Sequence, residues 1–113
     1  MNMIGHNVGR RASMYAIVFD LDTESLKQLY HGNSYNNAYV DIRNFLTARG
    51  FEWKQGSTYF GNPSIDAVRC VTTVQKLARK FDWFTPCVRD IRMLRIEEDN
   101  DLSIAINDED ELV

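Results

Sequence analysis

The chain has 113 residues, 44% of them hydrophobic and 12% aromatic, the size and composition of one soluble globular domain with a single core. Its two cysteines, Cys70 and Cys87, fit no metal spacing and no disulfide framework, so they read as small core residues of a protein in a reducing cytoplasm. No apolar run reaches the roughly 18 residues that span a bilayer, and residues 1–13 lack the apolar stretch of a secretory signal.

The net charge of −3 conceals a division. All 13 Lys and Arg precede residue 97, together with eight of the 16 acidic residues, which leaves that part at +5; residues 97–113 hold the other eight acids and no base, a net of −8. A basic body suggests a polyanionic partner. The acidic end reads as a solvated segment, with partial masking of the basic surface as the alternative.

In chain order, residues 1–13 are expected to be a disordered N-terminal extension, with Met14 the natural start of the fold. The run from Tyr15 to Leu21, rich in β-branched and aromatic residues, predicts a strand buried on both faces and ending in Asp20 and Asp22. Its two sides are Tyr15, Ile17, Phe19 and Leu21, and Ala16, Val18 and Asp20. One side should meet helices. The other is too apolar for water and calls for a second sheet, with Asp20 at the mouth of that surface. Thr23 or Ser25 could cap a short turn through Leu26–Tyr30, before loop residues His31-Gly32-Asn33-Ser34. Tyr35, Ala38, Ile42, Phe45 and Leu46 then form a helical stripe, with Asn33 or Ser34 as N-cap and Gly50 at the stop.

Phe51–Lys54 and Ser57–Phe60 read as strands of a hairpin turned at Gln55-Gly56, and Gly61-Asn62-Pro63 breaks the second. Ser64 is expected to cap a further helix, with Asp66 in its first turn and a stripe of Ala67, Cys70, Val71, Val74, Leu77, Ala78 and Phe81. Asp82 to Pro86 ends it. In the last strand, Val88–Ile96, Arg89, Ile91, Met93 and Arg95 face one way and Val88, Asp90, Arg92, Leu94 and Ile96 the other. Leu102–Ile106 could add a short edge strand, on this chain or on a partner subunit.

The order β-α-β-β-α-β is the split-βαβ pattern of an α+β ferredoxin-like sandwich, a four-stranded antiparallel sheet with two helices on one face. The domain would span 14–97, followed by an acidic C-terminal tail at 98–113. Its helix-free face would be apolar, a patch monomers seldom expose, so a homodimer is expected.

Ile17-Val18-Phe19-Asp20-Leu21-Asp22-Thr23 by itself resembles the first motif of haloacid-dehalogenase-type phosphatases, where the first carboxylate is a nucleophile and the second an acid/base. The likeness is local. The motif's Gly is missing, the chain is too short for that doubly wound domain, and the hairpin after the first helix breaks its repeat.

Three longer segments, MYAIVFDLDT, DIRNFLTARGFEWKQGSTYFG and FTPCVRDIRMLRIEEDNDL, resemble the virulence-associated protein D (VapD) family of bacteria over roughly residues 14–102. The resemblance implies a ferredoxin-like homodimer related to the small metal-dependent nuclease of CRISPR adaptation. It further implies a toxin endoribonuclease of a toxin–antitoxin module, cutting RNA (mRNA) in the cytoplasm and bound by a cognate antitoxin protein, with no membrane partner. The family's first-strand aspartate falls on Asp20, its Gln-Gly-Ser turn on Gln55-Gly56-Ser57, and its Val-Arg-Asp-Ile-Arg strand on Val88–Arg92.

The resemblance thereby implies Asp20, Ser57 and Asp90 as catalytic residues and Tyr59, Arg89 and Arg92 as RNA contacts. Two Asp20 carboxylates of a dimer could hold Mg²⁺ at one cleft. Alternatively, with no cofactor, one Asp20 raised in pKa by burial could take the proton of the ribose 2′-OH. Ser57 could hydrogen-bond a phosphate oxygen, while Arg89 and Arg92 neutralise the phosphate. Tyr59 could pack or stack on a base, Asp22 reads as a turn or cap residue, and His31 as an exposed loop histidine. A non-enzymatic dimeric module that binds nucleic acid or an antitoxin is the alternative reading.

Overall fold

Met14–Leu21 (β1) forms an inner strand of a four-stranded sheet in the computed structural model, which describes residues 13–107. After it come α1 (Thr23–Leu29), α2 (Asn37–Thr47), β2 (Phe51–Gln55), β3 (Thr58–Gly61), α3 (Ala67–Lys80), α4 (Phe84–Cys87), β4 (Val88–Ile96) and α5 (Ser103–Asn107). The strand order is β2-β3-β1-β4 and every neighbouring pair is antiparallel. This is the expected ferredoxin-like fold, with the short helices α1, α4 and α5 added. Residues 1–12 of the expected 1–13 extension and the end of the tail at 108–113 lie outside the described residues.

Helix starts are set by side chains that satisfy free backbone N–H groups. Asp22 caps α1, accepting from the Ser25 backbone N–H at 2.9 Å and from the Ser25 hydroxyl at 2.6 Å. Asp66, not Ser64, caps α3 by accepting from the Arg69 N–H at 2.7 Å; Ser64 instead donates to Asn62 Oδ1. The second helix begins later than expected, at Asn37, because Ser34 Oγ bonds the Asn36 N–H in a preceding turn.

The core lies between the helices and one sheet face. Ile17, Phe19 and Leu21 of β1 meet Leu26, Ile42, Leu46, Leu77 and Phe84, all buried. On α3 the buried positions are Cys70, Thr73 and Leu77, whereas Val71 is 47% exposed, so the stripe is rotated toward Thr73. Thr73 is tolerated there because its hydroxyl donates to the Arg69 carbonyl.

The other sheet face carries no helix. Register places Met14, Ala16, Val18 and Asp20 beside Ile96, Leu94, Arg92 and Asp90 of β4 and, on β3, Ala16 and Val18 beside Phe60 and Thr58. The expectation of a strand buried on both faces holds for the helix-facing side alone, at Ile17, Phe19 and Leu21; on the other side Ala16 is buried but Asp20 is exposed. Val18 is half-buried and Leu94 is 48% exposed in the single chain. This face is apolar toward the start of β1 and charged toward its end.

Leu102–Ile106 forms no edge strand. Asp101 Oδ1 accepts from the Ser103 N–H at 2.8 Å and the Leu102 carbonyl accepts from Ala105 and Ile106, which winds the segment into α5. Its apolar side chains are exposed, Ile104 by 78% and Ile106 by 83%.

Candidate active site at the end of the sheet

β1 and β4 bring two carboxylates face to face. Asp20 stands directly opposite Asp90 in the antiparallel register, an arrangement that is unfavourable for like charges. Each is compensated by an arginine: Arg89 Nε lies 3.9 Å from Asp20, and Arg92 Nε lies 3.1 Å from Asp90. All four side chains are more than half exposed, so the cluster faces solvent along the charged end of the helix-free face.

Simple alternation puts Arg89 on the opposite face from Asp20. The register shows why that expectation fails. Asp20 pairs with Asp90 and Leu21 with Val88, leaving Arg89 as the extra residue of a β-bulge. A bulge re-aims the side chain it carries, here toward Asp20. A second bulge lies in β2, where Trp53 pairs with Tyr59 but Gln55 with Thr58, so Lys54 is unpaired next to the Gln55-Gly56-Ser57 turn. Gly56 supplies the positive φ of 51° that the turn requires.

Ser57 reaches the cluster through the backbone: its carbonyl accepts from the Phe19 N–H at 3.2 Å, which extends the β1–β3 ladder to the residue before Asp20. The structure thus gathers Asp20, Ser57, Asp90, Arg89 and Arg92 at one end of the sheet. Tyr59 is not among them. It is 2% exposed and faces the helices, its ring stacked on Phe19 at 6.1 Å and 8°. Burial raises its phenol pKa, and a hydrogen bond from Arg43 works the other way. A base has no access to that ring.

Asp22 belongs to α1 as its cap, and this duty holds its carboxyl below the usual range through the Ser25 hydroxyl and N–H. It is not free to serve as the acid/base of a phosphatase motif. His31 is exposed, 3.4 Å from Asp82. Cys70 and Cys87 are buried free thiols, both pushed up in pKa by burial, with the Asp22 charge adding to the effect at Cys87.

One residue near the site was missed from the sequence. Tyr39, in the first turn of α2, is half-buried against the core, and burial raises its pKa, aided by the negative charge of Asp20. The available signal was its place on the Tyr35 side of the helix, four residues on. Among the described residues, no group of three or more His, Cys, Asp or Glu is placed to share a metal ion. Hard oxygen donors are nonetheless what Mg²⁺ prefers, and it commonly takes only one or two carboxylates and keeps its waters. The opposed Asp20 and Asp90 fit that donor set.

These features define an α+β protein of ferredoxin-like fold with a carboxylate pair, flanked by guanidinium groups, at one end of its sheet. Comparison with known proteins is specific. The chain is 57% identical over 94 residues to Endoribonuclease VapD 2 of Riemerella anatipestifer, covering 83% of this chain and 100% of that one. It is 52% identical over 93 residues to an Endoribonuclease VapD homolog of Helicobacter pylori (82% and 96%). It is 43% identical over 95 residues to Endoribonuclease VapD of Dichelobacter nodosus (82% and 97%). No family model matches the chain. The chain belongs to the endoribonuclease VapD family.

Proposed function

We propose that this chain cuts RNA internally at the Asp20–Asp90 end of its sheet, as a cytoplasmic homodimer held in check by a cognate antitoxin. Family membership supports the reaction class. The observation that carries the location is the direct opposition of Asp20 and Asp90, each with its own arginine. Proteins avoid setting like charges opposite each other across strands, and a broken local rule marks a functional place.

In this reading the Asp20 carboxylate accepts the proton of a ribose 2′-OH. The 2′ oxygen then bonds to phosphorus as the bond to the 5′ oxygen breaks, and the leaving oxygen takes a proton from water. In the same reading Arg89 and Arg92 neutralise charge gathering on the phosphate, and the Ser57 hydroxyl donates to a phosphate oxygen. A divalent cation, when bound, would be held by Asp20 and Asp90 and would supply charge neutralisation at the phosphoryl oxygens.

The helix-free face supports the dimer. Met14, Ala16, Val18, Phe60, Leu94 and Ile96 form an apolar half that a second copy would cover, leaving the charged half open beside the seam.

The test is RNA cleavage by the purified protein beside its Asp20→Ala variant, each with Mg²⁺ and with EDTA. The variant should lose at least about 100-fold in rate, the scale of a general base, while keeping its circular dichroism spectrum. Loss of parent activity in EDTA would assign the carboxylates to a metal; persistence would assign Asp20 to the proton. Equal cleavage by both proteins would remove Asp20 from the site. No cleavage by either would favour a module that binds RNA without cutting it.

A further inference from the structure

The cations of this chain are unevenly satisfied. On the sheet and around the site, Lys54, Arg89, Arg92 and Arg95 have carboxylate partners at 3.2, 3.9, 3.1 and 3.0 Å. On the two-helix layer, none of Arg49, Arg69, Lys76, Arg79 and Lys80 has an ion pair among the described residues. Among the described residues, the cations without a carboxylate partner therefore lie on the two-helix layer, away from Asp20.

Helix α3 concentrates it. From Ala67 to Lys80 it has four basic residues and no acid. Arg79 and Lys80, in the last turn, complement the helix dipole, which is reason enough for their presence. Arg69 has no such reason. It stands in the first turn, where the positive end of the dipole disfavours a cation. Arg49, Arg69 and Lys76 line an open groove of about 500 Å³. Arg49 and Lys80 line a second, of about 370 Å³, between α2 and α3. Two carboxylates share these grooves, Asp66 held by the Arg69 N–H at 2.7 Å and Asp41 by the Tyr30 hydroxyl at 2.7 Å, and the four cations Arg49, Arg69, Lys76 and Lys80 outnumber them.

Arg49 is also held in place. Its guanidinium lies 3.6 Å over the Phe45 ring, and Nη1 donates to the Phe45 carbonyl at 3.1 Å, so little conformational freedom is left to lose on binding an anion. The row from Arg69 to Lys80 extends about 16 Å along the helix at ~1.5 Å per residue. It has a direction. α3 follows β3, which runs antiparallel to β1, so the helix returns toward the end of the sheet where Asp20 stands.

We infer that the α2–α3 layer is a second RNA surface, whose cations Arg49, Arg69, Lys76 and Lys80 hold the single-stranded phosphodiester backbone of a substrate being cut at Asp20. The inference rests on the proposed RNA-cleaving function and extends it from the scissile bond to the flanking strand. Such a surface reads charge and not bases, so it confers preference for length and carries no sequence preference.

The test uses the full chain and its Arg69→Gln/Lys76→Gln/Lys80→Gln variant, all three positions exposed and outside the core. Affinity is measured for a fully 2′-O-methylated RNA long enough to span both surfaces, across a salt series. Cleavage is measured for an unmodified RNA of the same length and for a tetranucleotide. The variant should bind the long RNA about tenfold more weakly. Its salt slope should fall by about 2, from ~0.7 per phosphate released by three cations. KM for long RNA should rise with kcat held, and tetranucleotide cleavage should stay as in the parent.

An unchanged slope and affinity would overturn the inference, as would an equal loss on the tetranucleotide. If Glu98→Gln/Asp99→Asn/Asp101→Asn raised RNA affinity in the parent but not in the triple variant, the acidic segment would be competing with RNA for these same cations, which supports the inference. The methylated RNA cannot be cut through its 2′ oxygen, so the binding result stands even if the parent shows no cleavage.

Discussion

At the scale of single residues, the polar pairs outside the site have structural duties that titration can reveal. The Tyr30 hydroxyl donates to Asp41 at 2.7 Å, linking the end of α1 to α2, and this bond pushes its pKa up to about 12, with burial adding to the rise. The folded state therefore holds the Tyr30 proton more tightly than the unfolded chain, whose phenol titrates near ~10. The stabilisation is complete below that value and is lost as pH rises through about 12. Urea unfolding from pH 8 upward should show this alkaline loss in the parent and a smaller one in Tyr30→Phe. That variant should also be about 1 kcal/mol less stable at pH 8; identical alkaline limbs would remove Tyr30 as the cause. Individual residues were legible where local chemistry decides them. Asp22 was legible as a turn or cap residue, although the cap itself was expected at Thr23 or Ser25; Ser25 instead supplies the N–H and hydroxyl that Asp22 accepts. Arg89 and Tyr59 were not legible, because which face a side chain takes depends on a bulge and on the direction of the helices, and neither is written in the local sequence.

At the scale of elements, all four strands and the two long helices follow from periodicity, and the errors sit at their ends. Ser64 and Asp66 compete to start α3, and the geometry of the Asn62 turn decides for Asp66. The alternation of Leu102, Ile104 and Ile106 suits a strand, but Asp101 caps the segment as a helix. The turn after β3 depends on close packing: a Cβ at Gly61 would lie 2.9 Å from the Cβ of Ile65, itself 3% exposed. Gly61→Ala should therefore cost about 1–3 kcal/mol in urea unfolding, the range for overpacking a filled site. A change under half that cost would show that the Asn62–Ile65 turn can yield.

At the scale of the molecule, the helices cover one sheet face and charge divides the other. In the proposed dimer the apolar half is the seam. Leu94→Glu places a charge at its centre and should raise the dimer dissociation constant at least about 100-fold. Sedimentation should then show monomers with the secondary structure of the parent and with RNA cleavage impaired. A variant that still sediments as the parent does, dimeric or monomeric, would remove this face as the interface. No helix among the described residues is long and apolar enough to cross a membrane; the exposed apolar side chains lie on this face (Leu94), in and beside α5 and at scattered positions such as Val68.

The unpaired Arg89 also sets the phase of everything after it. Residues 90–96 alternate between the two sheet faces with a parity fixed by that one extra position. A chain lacking it would either lose the Leu21–Val88 pairing or invert the strand, sending Arg92 and Leu94 toward the helices and Ile91 and Met93 toward the seam. Position 89 can thus change its side chain at the expense of chemistry alone. Its deletion would exchange core for surface along the whole edge of the molecule.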